Sequence, residues 1–162
     1  IRIGAEGRFP APPERVKQAL LDYGRQIGAI DRLSEARVLS RGERSLYVYQ
    51  RLNLPVIDDR DFVLHVRHGA DGGTQWVSYW AVTDRGPQPR DGLVRVTNHR
   101  GTWVLEPTDS GRATRVRYQV SIDLGGLLPR WMARAGAGRE LPELFSAICR
   151  LSRPDRRNGR CP

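Results

Sequence analysis

Three histidines are the first candidates for chemistry, because imidazole both ligates metals and transfers protons near neutral pH. His65 and His68 are three residues apart in a segment with strand periodicity, so their side chains are expected on opposite faces and cannot share a metal ion. His99 precedes the turn signal Arg100-Gly101 and is expected at the surface or in a turn. The histidines therefore predict no metal site.

The other polar residues form no recognisable catalytic motif. The sequence contains no nucleophile elbow, P-loop, dinucleotide fingerprint or HExxH motif. The densest charge cluster, Asp58-Asp59-Arg60-Asp61, is interpreted as an ion-paired strand entrance, with Arg60 and Asp61 as partners, in preference to acid/base machinery. We therefore expect no catalysis and no cofactor.

Length and charge indicate one globular domain that is soluble or peripheral. The 162 residues carry a net charge of +9, and 26 of the 27 basic residues are Arg, a bias typical of a G+C-rich bacterial genome. No nucleic-acid-binding motif accompanies the charge, so we expect no nucleic-acid partner, and an anionic membrane surface is the better candidate. The chain begins at Ile1 without Met or an apolar leader, which leaves the compartment open.

Two cysteines are too few for a disulfide framework. Cys149 lies on an apolar helical face and Cys161 in a basic stretch rich in Pro and Gly. Two free thiols are favoured over a pair, and pairing in an oxidising compartment stays open. Residues 1–151 are expected to form the domain and residues 152–162 a flexible basic tail.

Periodicity predicts the elements that must position any site. Strand alternation over 1–9 is followed by Pro12-Pro13-Glu14, which is typical of a helix start, and by apolar residues at helical spacing. Helical spacing returns after Gly125-Gly126, with a kink or break expected where Gly136, Gly138 and Pro142 interrupt it. Between the helices the sequence predicts seven strands, at 36–41, 45–52, 61–68, 74–83, 92–99, 102–107 and 114–123.

The predicted fold class is α+β. Short strands separated by turns indicate an antiparallel meander, and the last strand alternates apolar with polar residues, so one sheet face is buried. A curved sheet wrapped around the C-terminal helix covers that face most economically. Tyr47, Tyr49, Trp76, Trp80 and Tyr118 lie at even offsets within their strands, so each strand offers its rings to one face, either as packed core or as a ligand cavity.

Several segments, in this order and spacing, resemble the START (steroidogenic acute regulatory-related lipid transfer) domain family. They are Pro55, Asp59-Arg60-Asp61-Phe62-Val63, Gly101-Thr102-Trp103-Val104-Leu105-Glu106-Pro107 and the run from Ser121 to Trp131. The resemblance covers roughly residues 1–151. It implies a helix-grip fold of the SRPBCC superfamily, with a hydrophobic cavity that binds and transfers a lipid or similar molecule without chemistry.

The resemblance also implies a gate and a set of ligand contacts. The gate is expected at residues 125–142, where glycines and Pro142 weaken the helix, together with the loop 84–91, and Arg130, Arg134 and Arg139 would favour its docking at an anionic membrane. A static helix whose arginines are merely solvated is the equal alternative. Val66 and Tyr47 occupy the positions of the ionic pair found in sterol-carrying members, which places a sterol anchored in that way in doubt. The expected ligand-binding residues are Tyr47, Tyr49, Arg51, Phe62, Leu64, Val66, Trp76, Ser78, Trp80, Val94, Val96, Tyr118, Val120, Leu128, Trp131 and Met132.

Two other functions stay open. The superfamily contains polyketide aromatase/cyclases, whose chemistry would need polar cavity groups, and Arg51, Ser78 and Asn98 are the candidates. Its ring-hydroxylating dioxygenases need two His and one carboxylate on iron, which the three histidines do not provide at matching spacing. A protein-interaction module using the helix surface has no positive feature in the sequence. We expect a monomer that binds a hydrophobic small molecule.

Overall fold

The computed structural model describes residues 1–128, 130–153 and 159–162, with the side chains of residues 130, 133, 135 and 137 excepted. Within that part no helix is long and apolar enough to cross a membrane. The strands are β1 (Arg2–Phe9), β2 (Leu33–Arg41), β3 (Ser45–Leu52), β4 (Asp59–Asp71), β5 (Thr74–Val82), β6 (Leu93–Arg95), β7 (Asn98–Thr108) and β8 (Ala113–Asp123). The helices are α1 (Pro13–Leu21), α2 (Tyr23–Gln26) and α3 (Arg130–Ser152).

The described strands form one curved sheet in the order β1-β8-β7-β5-β4-β3-β2, and β6 is attached to β4. Every pairing along this path is antiparallel, whereas β6 runs parallel to β4 over three residues. Connections between neighbours in the meander are short because antiparallel strands need only a turn. The chain therefore belongs to the α+β class that its periodicity predicts.

The concave face of the sheet carries the core. Val116 and Tyr118 in β8 alternate with exposed Arg115 and Arg117, so one side of the strand is buried and the other faces water. Helix α1 covers the middle of the concave face with buried residues such as Val16 and packs on β5 and β7.

Helix α3 packs its second half against the concave face of the sheet. Its second half inserts Phe145, Ile148 and Cys149 into the core, where Phe145 meets Phe9 edge to face at 4.7 Å. The element packs on α1, α2 and β1. It runs as one helix through Pro142, so the break, one of the two predicted outcomes, is wrong, and the other, a kink, stays a prediction. Apolar packing of the second half holds the helix across the position where Pro142 removes a backbone donor.

A disulfide joins Cys149 to Cys161, so the expectation of two free thiols is wrong. The bond spans 12 residues of sequence and joins the second half of α3 to the described residues 159–162. Gly159 lies against Pro10, and Pro162 lies against Gly7 in β1. Residues 154–158 of the predicted tail lie outside the described residues, while its last four residues are tied to the domain.

The turn predicted at Arg100-Gly101 is also wrong. Strand β7 passes straight through these residues, and the segment predicted as a strand over 92–99 divides into β6 and the start of β7. Gly101 is present for close packing: a Cβ there would lie 2.4 Å from the Tyr79 Oη of the neighbouring strand. The glycine therefore makes room for a buried phenol.

Candidate functional site

The concave face and α3 enclose the candidate site. Six of the residues expected to contact ligand, Phe62, Leu64, Val66, Val96, Tyr118 and Val120, lie in the buried core beneath the helices, which is the face predicted for them. Val94 is partly buried and lies against Gly125, directly before α3. These side chains form an apolar interior with Tyr118 as a polar member.

Six other predicted contacts lie on the outer face, so their assignment to the cavity is wrong. Strand pairing places each of them opposite another outer-face residue: Tyr47 opposite His65, Tyr49 opposite Val63, Arg51 opposite Asp61, Trp76 opposite Gly69, Ser78 opposite Arg67, and Trp80 opposite His65. Their neighbours in sequence, Leu46, Val48, Val77 and Tyr79, fill the core instead. Tyr47 and Val66, the positions matched to the family's ionic pair, are consequently on opposite faces.

The outer-face rings contact one another and a loop, and Trp80 among them is exposed. Tyr47 stacks on His65 at 4.4 Å, and His65 meets Trp80 at 4.6 Å. The guanidinium of Arg85, in the loop between β5 and β6, lies 4.2 Å above Tyr47. A loop predicted to gate the cavity therefore lies on the convex side of the sheet.

The charge cluster at the start of β4 is ion-paired, but with other partners than predicted. Asp61 accepts two hydrogen bonds from Arg95 and one from the Tyr49 hydroxyl, on the outer face. Asp59 pairs with Arg51 at 2.8 Å. Arg60 points to the opposite face, since successive strand residues alternate, so the predicted Arg60–Asp61 pair does not form. The Arg95 and Tyr49 hydrogen bonds outweigh burial and lower the pKa of Asp61.

Buried Arg60 ties β4 to the segment before α3. Its side chain is 3% exposed and donates hydrogen bonds to the backbone carbonyls of Asp58, Leu124 and Gly125. Gly125 and Gly126 have φ of +65° and +69°, a left-handed backbone that favours glycine. The link fixes where the chain leaves β8 to enter α3.

A cluster of phenols occupies the core. Tyr79 and Tyr118 share a hydrogen bond between their hydroxyl groups, and Trp103 stacks on Tyr118 with ring centroids 3.8 Å apart. Burial raises the pKa of Tyr79, Tyr118 and Tyr23, so all three phenols are neutral. The interior therefore offers uncharged hydrogen-bonding groups.

His99 lies in the interior, so its predicted surface or turn position is wrong. It occupies the second residue of β7, with its ring edge to face with Phe62 at 4.8 Å and with Tyr79 at 5.1 Å. Burial lowers its pKa from 6.5 to about 4, so the imidazole is neutral at pH 7. Sequence reasoning missed it because Arg100-Gly101 resembled a turn, although strand parity with Gly101 and Trp103 would have placed it inward.

A cleft of about 460 Å³ opens between the end of β8 and the start of α3. Ile122, Asn98 and Leu128 are among its lining residues, together with Gly125 and Gly126. Leu128 is the one expected helix-side contact that lines this cleft; Met132 is partly buried, and Trp131 is 70% exposed. The expected inward position of Trp131 is therefore wrong.

Three carboxylates lie close together beside the middle of α3. Asp31, Glu140 and Glu143 place one oxygen each within 4.8 Å of one another at the surface. Glu140 already pairs with Arg32 at 2.8 Å. The cluster functions as an ion pair that ties α3 to the segment before β2.

Comparison with known proteins identifies the class. The model of the START domain family matches residues 26–152, and the chain belongs to this family. Among solved structures, human STARD10 superposes with a TM-score of 0.84 at 16% identity, covering 93% of this chain and 62% of that protein. A STAR-related lipid transfer protein from Xanthomonas axonopodis superposes with a TM-score of 0.81 at 26% identity, covering 94% and 86%.

Two further proteins are similar to this chain, one in structure and one in sequence. The Zhui aromatase/cyclase from Streptomyces sp. R1128 shares the fold with a TM-score of 0.66 at 15% identity, covering 94% of this chain and 93% of that protein. An uncharacterized protein of Pseudomonas aeruginosa, PA1579, is 26% identical over 103 residues, which are 63% of this chain and 50% of that protein. The chain thus spans about half the length of the curated relative it matches. The helix-grip fold predicted from the sequence is confirmed.

Proposed function

We propose that the protein binds a hydrophobic small molecule between the concave face of the sheet and the first half of α3, without changing it chemically. Phe62, Leu64 and Val120 supply the apolar wall. Ligand sites of this kind are mostly apolar, with a few polar groups that orient the bound molecule. The neutral phenols and His99 are such groups.

The observation that carries the proposal is the unequal attachment of α3. Its described core residues, such as Phe145 and Ile148, belong to its second half, whereas Trp131 in the first turns is exposed and Leu127 just before them is fully exposed. The cleft of about 460 Å³ lies beneath the start of this helix. A helix end with few core contacts beside left-handed glycines can move away from the sheet and admit a ligand.

The membrane contact that transfer requires has candidate residues at the same end of the molecule. Arg60 holds Asp58 beside Leu124, which brings the fully exposed Val56 to the same end as Leu127 and Trp131. Exposed Arg134 adds positive charge; the side chain of Arg130 lies outside the described residues. Apolar and basic groups on one surface favour contact with anionic lipid.

Two neighbouring leucines provide a matched test. Leu128 lines the cleft and Leu127 points into solvent. Because Leu128→Arg replaces an apolar group of the cleft with a charge beside Arg2 and Arg134, it is expected to weaken binding of the neutral fluorophore N-phenylnaphthylamine by about tenfold or more. Leu127→Arg is expected to leave the affinity within about twofold, since its charge stays hydrated. Absence of binding by the unaltered protein would contradict the proposal.

Hydrogen exchange tests whether the first half of α3 moves. Hydrogen exchange over residues 125–142 is expected to be faster than in the strands and to slow when N-phenylnaphthylamine is bound. Equal protection with and without the fluorophore would contradict the gate while leaving binding intact.

An enzyme related to the aromatase/cyclases is the second candidate function. The feature that favours it is His99, a neutral imidazole beside the phenol of Tyr79, since such groups transfer protons. Arg51 and Ser78, the polar candidates from the sequence, face outward and cannot serve a cavity. Turnover of a polyketide-like substrate that His99→Phe abolishes in a folded protein would favour the enzyme.

A further inference from the structure

Two buried side-chain atoms in the described part of the chain lack a hydrogen-bond partner, Gln75 Oε1 and His99 Nδ1, and the histidine is the one that contacts the aromatic core. The Nδ1 atom of His99 is fully buried, and no group in the described part of the chain forms a hydrogen bond with it. Leaving such an atom unpaired costs about 1 to 3 kcal/mol, and native proteins rarely do so. An unpaired nitrogen on a ring that the core holds edge to face with Phe62 and Tyr79 indicates a position kept for another molecule.

The position of His99 connects it to the cleft. In the pairing of β7 with β8, His99 is directly opposite Ile122, and both side chains belong to the concave face. Ile122 lines the cleft beneath the start of α3. A molecule that enters over Ile122 and moves one strand inward therefore meets His99.

We propose that His99 selects ligands that carry a neutral hydroxyl group, an alcohol or a phenol, and that the hydroxyl binds to Nδ1. This inference rests on the proposed function, because it names the chemical class that the interior accepts. A neutral imidazole offers at Nδ1 either an N–H or a lone pair, depending on its tautomer. A hydroxyl group donates and accepts, so it satisfies either tautomer.

The same interior disfavours a carboxylate. A buried anion needs a cation or several donors to replace its lost hydration. The phenols of Tyr79 and Tyr118 already bond to each other, and the guanidinium of Arg60 is held by three backbone carbonyls. A ligand that ends in a carboxylate would therefore lose more in hydration than it gains inside.

Three probes with one ring system test the proposal: naphthol, naphthalene and naphthoate, each measured by displacement of N-phenylnaphthylamine. The unaltered protein is expected to bind naphthol about fivefold more tightly than naphthalene, as one neutral hydrogen bond provides, and naphthoate most weakly. His99→Phe keeps a ring but removes both nitrogens, so the ratio of naphthol affinity to naphthalene affinity should fall to about one.

His65→Phe is the matched control, because His65 is stacked on the outer face and should leave the preference unchanged. Equal affinity for naphthol and naphthalene, tighter binding of naphthoate, or a preference that survives His99→Phe would overturn the selection while leaving hydrophobic binding in place. Failure to bind any of the three probes would overturn the proposed function as well.

A second measurement covers the case in which His99→Phe does not fold. Nitrogen NMR of the unaltered protein should show a shift of the His99 Nδ1 signal on addition of naphthol and no comparable shift with naphthalene. Equal shifts with both probes, or none with either, would overturn the hydrogen bond to Nδ1.

Discussion

Burial of His99 makes the stability of the fold depend on pH. The imidazole has a pKa of about 4 in the folded protein against 6.5 in the unfolded chain, because the interior disfavours the charged ring. Between these values the unfolded chain binds a proton that the folded protein does not. Stability from this group is therefore present above pH 6.5 and is lost as the pH falls towards 4.

The magnitude follows from the two pKa values. Lowering the pH from about 7 to about 5 should reduce the contribution of His99 to the free energy of unfolding by about 2 kcal/mol. Below the pKa of the folded state the reduction reaches about 3 kcal/mol. Urea unfolding at the two pH values measures it. The histidines His65 and His68 also have pKa values lowered by burial, so the informative quantity is the difference between the unaltered protein and His99→Phe.

That difference should change by about 2 kcal/mol between the two pH values, in the direction that makes the unaltered protein relatively weaker in acid. A difference that stays constant with pH would refute the burial of His99. Titration of the His99 ring by NMR gives the same answer without a variant: a midpoint near 6.5 would contradict the account, and one near 4 would support it.

Three further changes test the packing. The double variant Cys149→Ala, Cys161→Ala should lower the free energy of unfolding by about 3 kcal/mol in urea, because the bridge closes a loop across 12 residues. Gly101→Ala places a Cβ against the Tyr79 phenol and should cost about 1 to 3 kcal/mol by thermal unfolding. Arg60→Met removes the donors for three carbonyls and should cost at least about 2 kcal/mol in urea, with increased hydrogen exchange at 124–126.

Each of these three predictions has a control or an outcome that would contradict it. Reduction of the disulfide with a thiol should reproduce the effect of the double variant, and an unchanged unfolding midpoint would contradict a bridge that stabilises the domain. Gly72→Ala is the control for strain from an added methyl group, since no atom lies near a Cβ there but φ is +61°. Because Gly72→Ala strains the backbone without a steric clash, Gly101 is tested by its own variant: a Gly101→Ala protein that unfolds at the temperature of the unaltered protein would refute the role of Gly101 in admitting Tyr79. Unchanged exchange after Arg60→Met would show that the carbonyl contacts do not hold the start of α3.

The alternation of apolar and polar residues along single strands predicted most of the fold. In β8 the exposed Arg117 and Gln119 alternate with buried apolar residues and show which side is buried. The bounds predicted for β3 and β5 are close to those observed. The order of a meander follows from the chain itself, because neighbouring antiparallel strands need only short turns.

The face of β3 and β5 could not be predicted in the same way. Both sides of these strands bear apolar groups: Val48 fills the core, while Tyr49 on the other side is covered by Arg95, Asp61 and the loop after β5. The aromatic residues of β3 and β5 therefore led to the wrong prediction of the buried face, since aromatic residues also stack with one another on an outer face.

The polar members of the site depend on contacts between distant segments. Gly101 resembles a turn residue until Tyr79 of the adjacent strand is placed beside it. Cys161 bonds to Cys149 in a part of the chain where Gly159 and Pro162 lie against the domain, and residue types alone do not specify that placement.

Location of a bound probe tests the central claim most directly. Intermolecular NOEs between N-phenylnaphthylamine and the methyl groups of the protein distinguish the two faces of the sheet. If the probe binds on the concave face, NOEs are expected to Leu64, Val120 and Ile122. No NOEs are expected to Val104 or Thr102, which point outward in β7. NOEs to Val104 and Thr102, with none to the concave methyl groups, would contradict it.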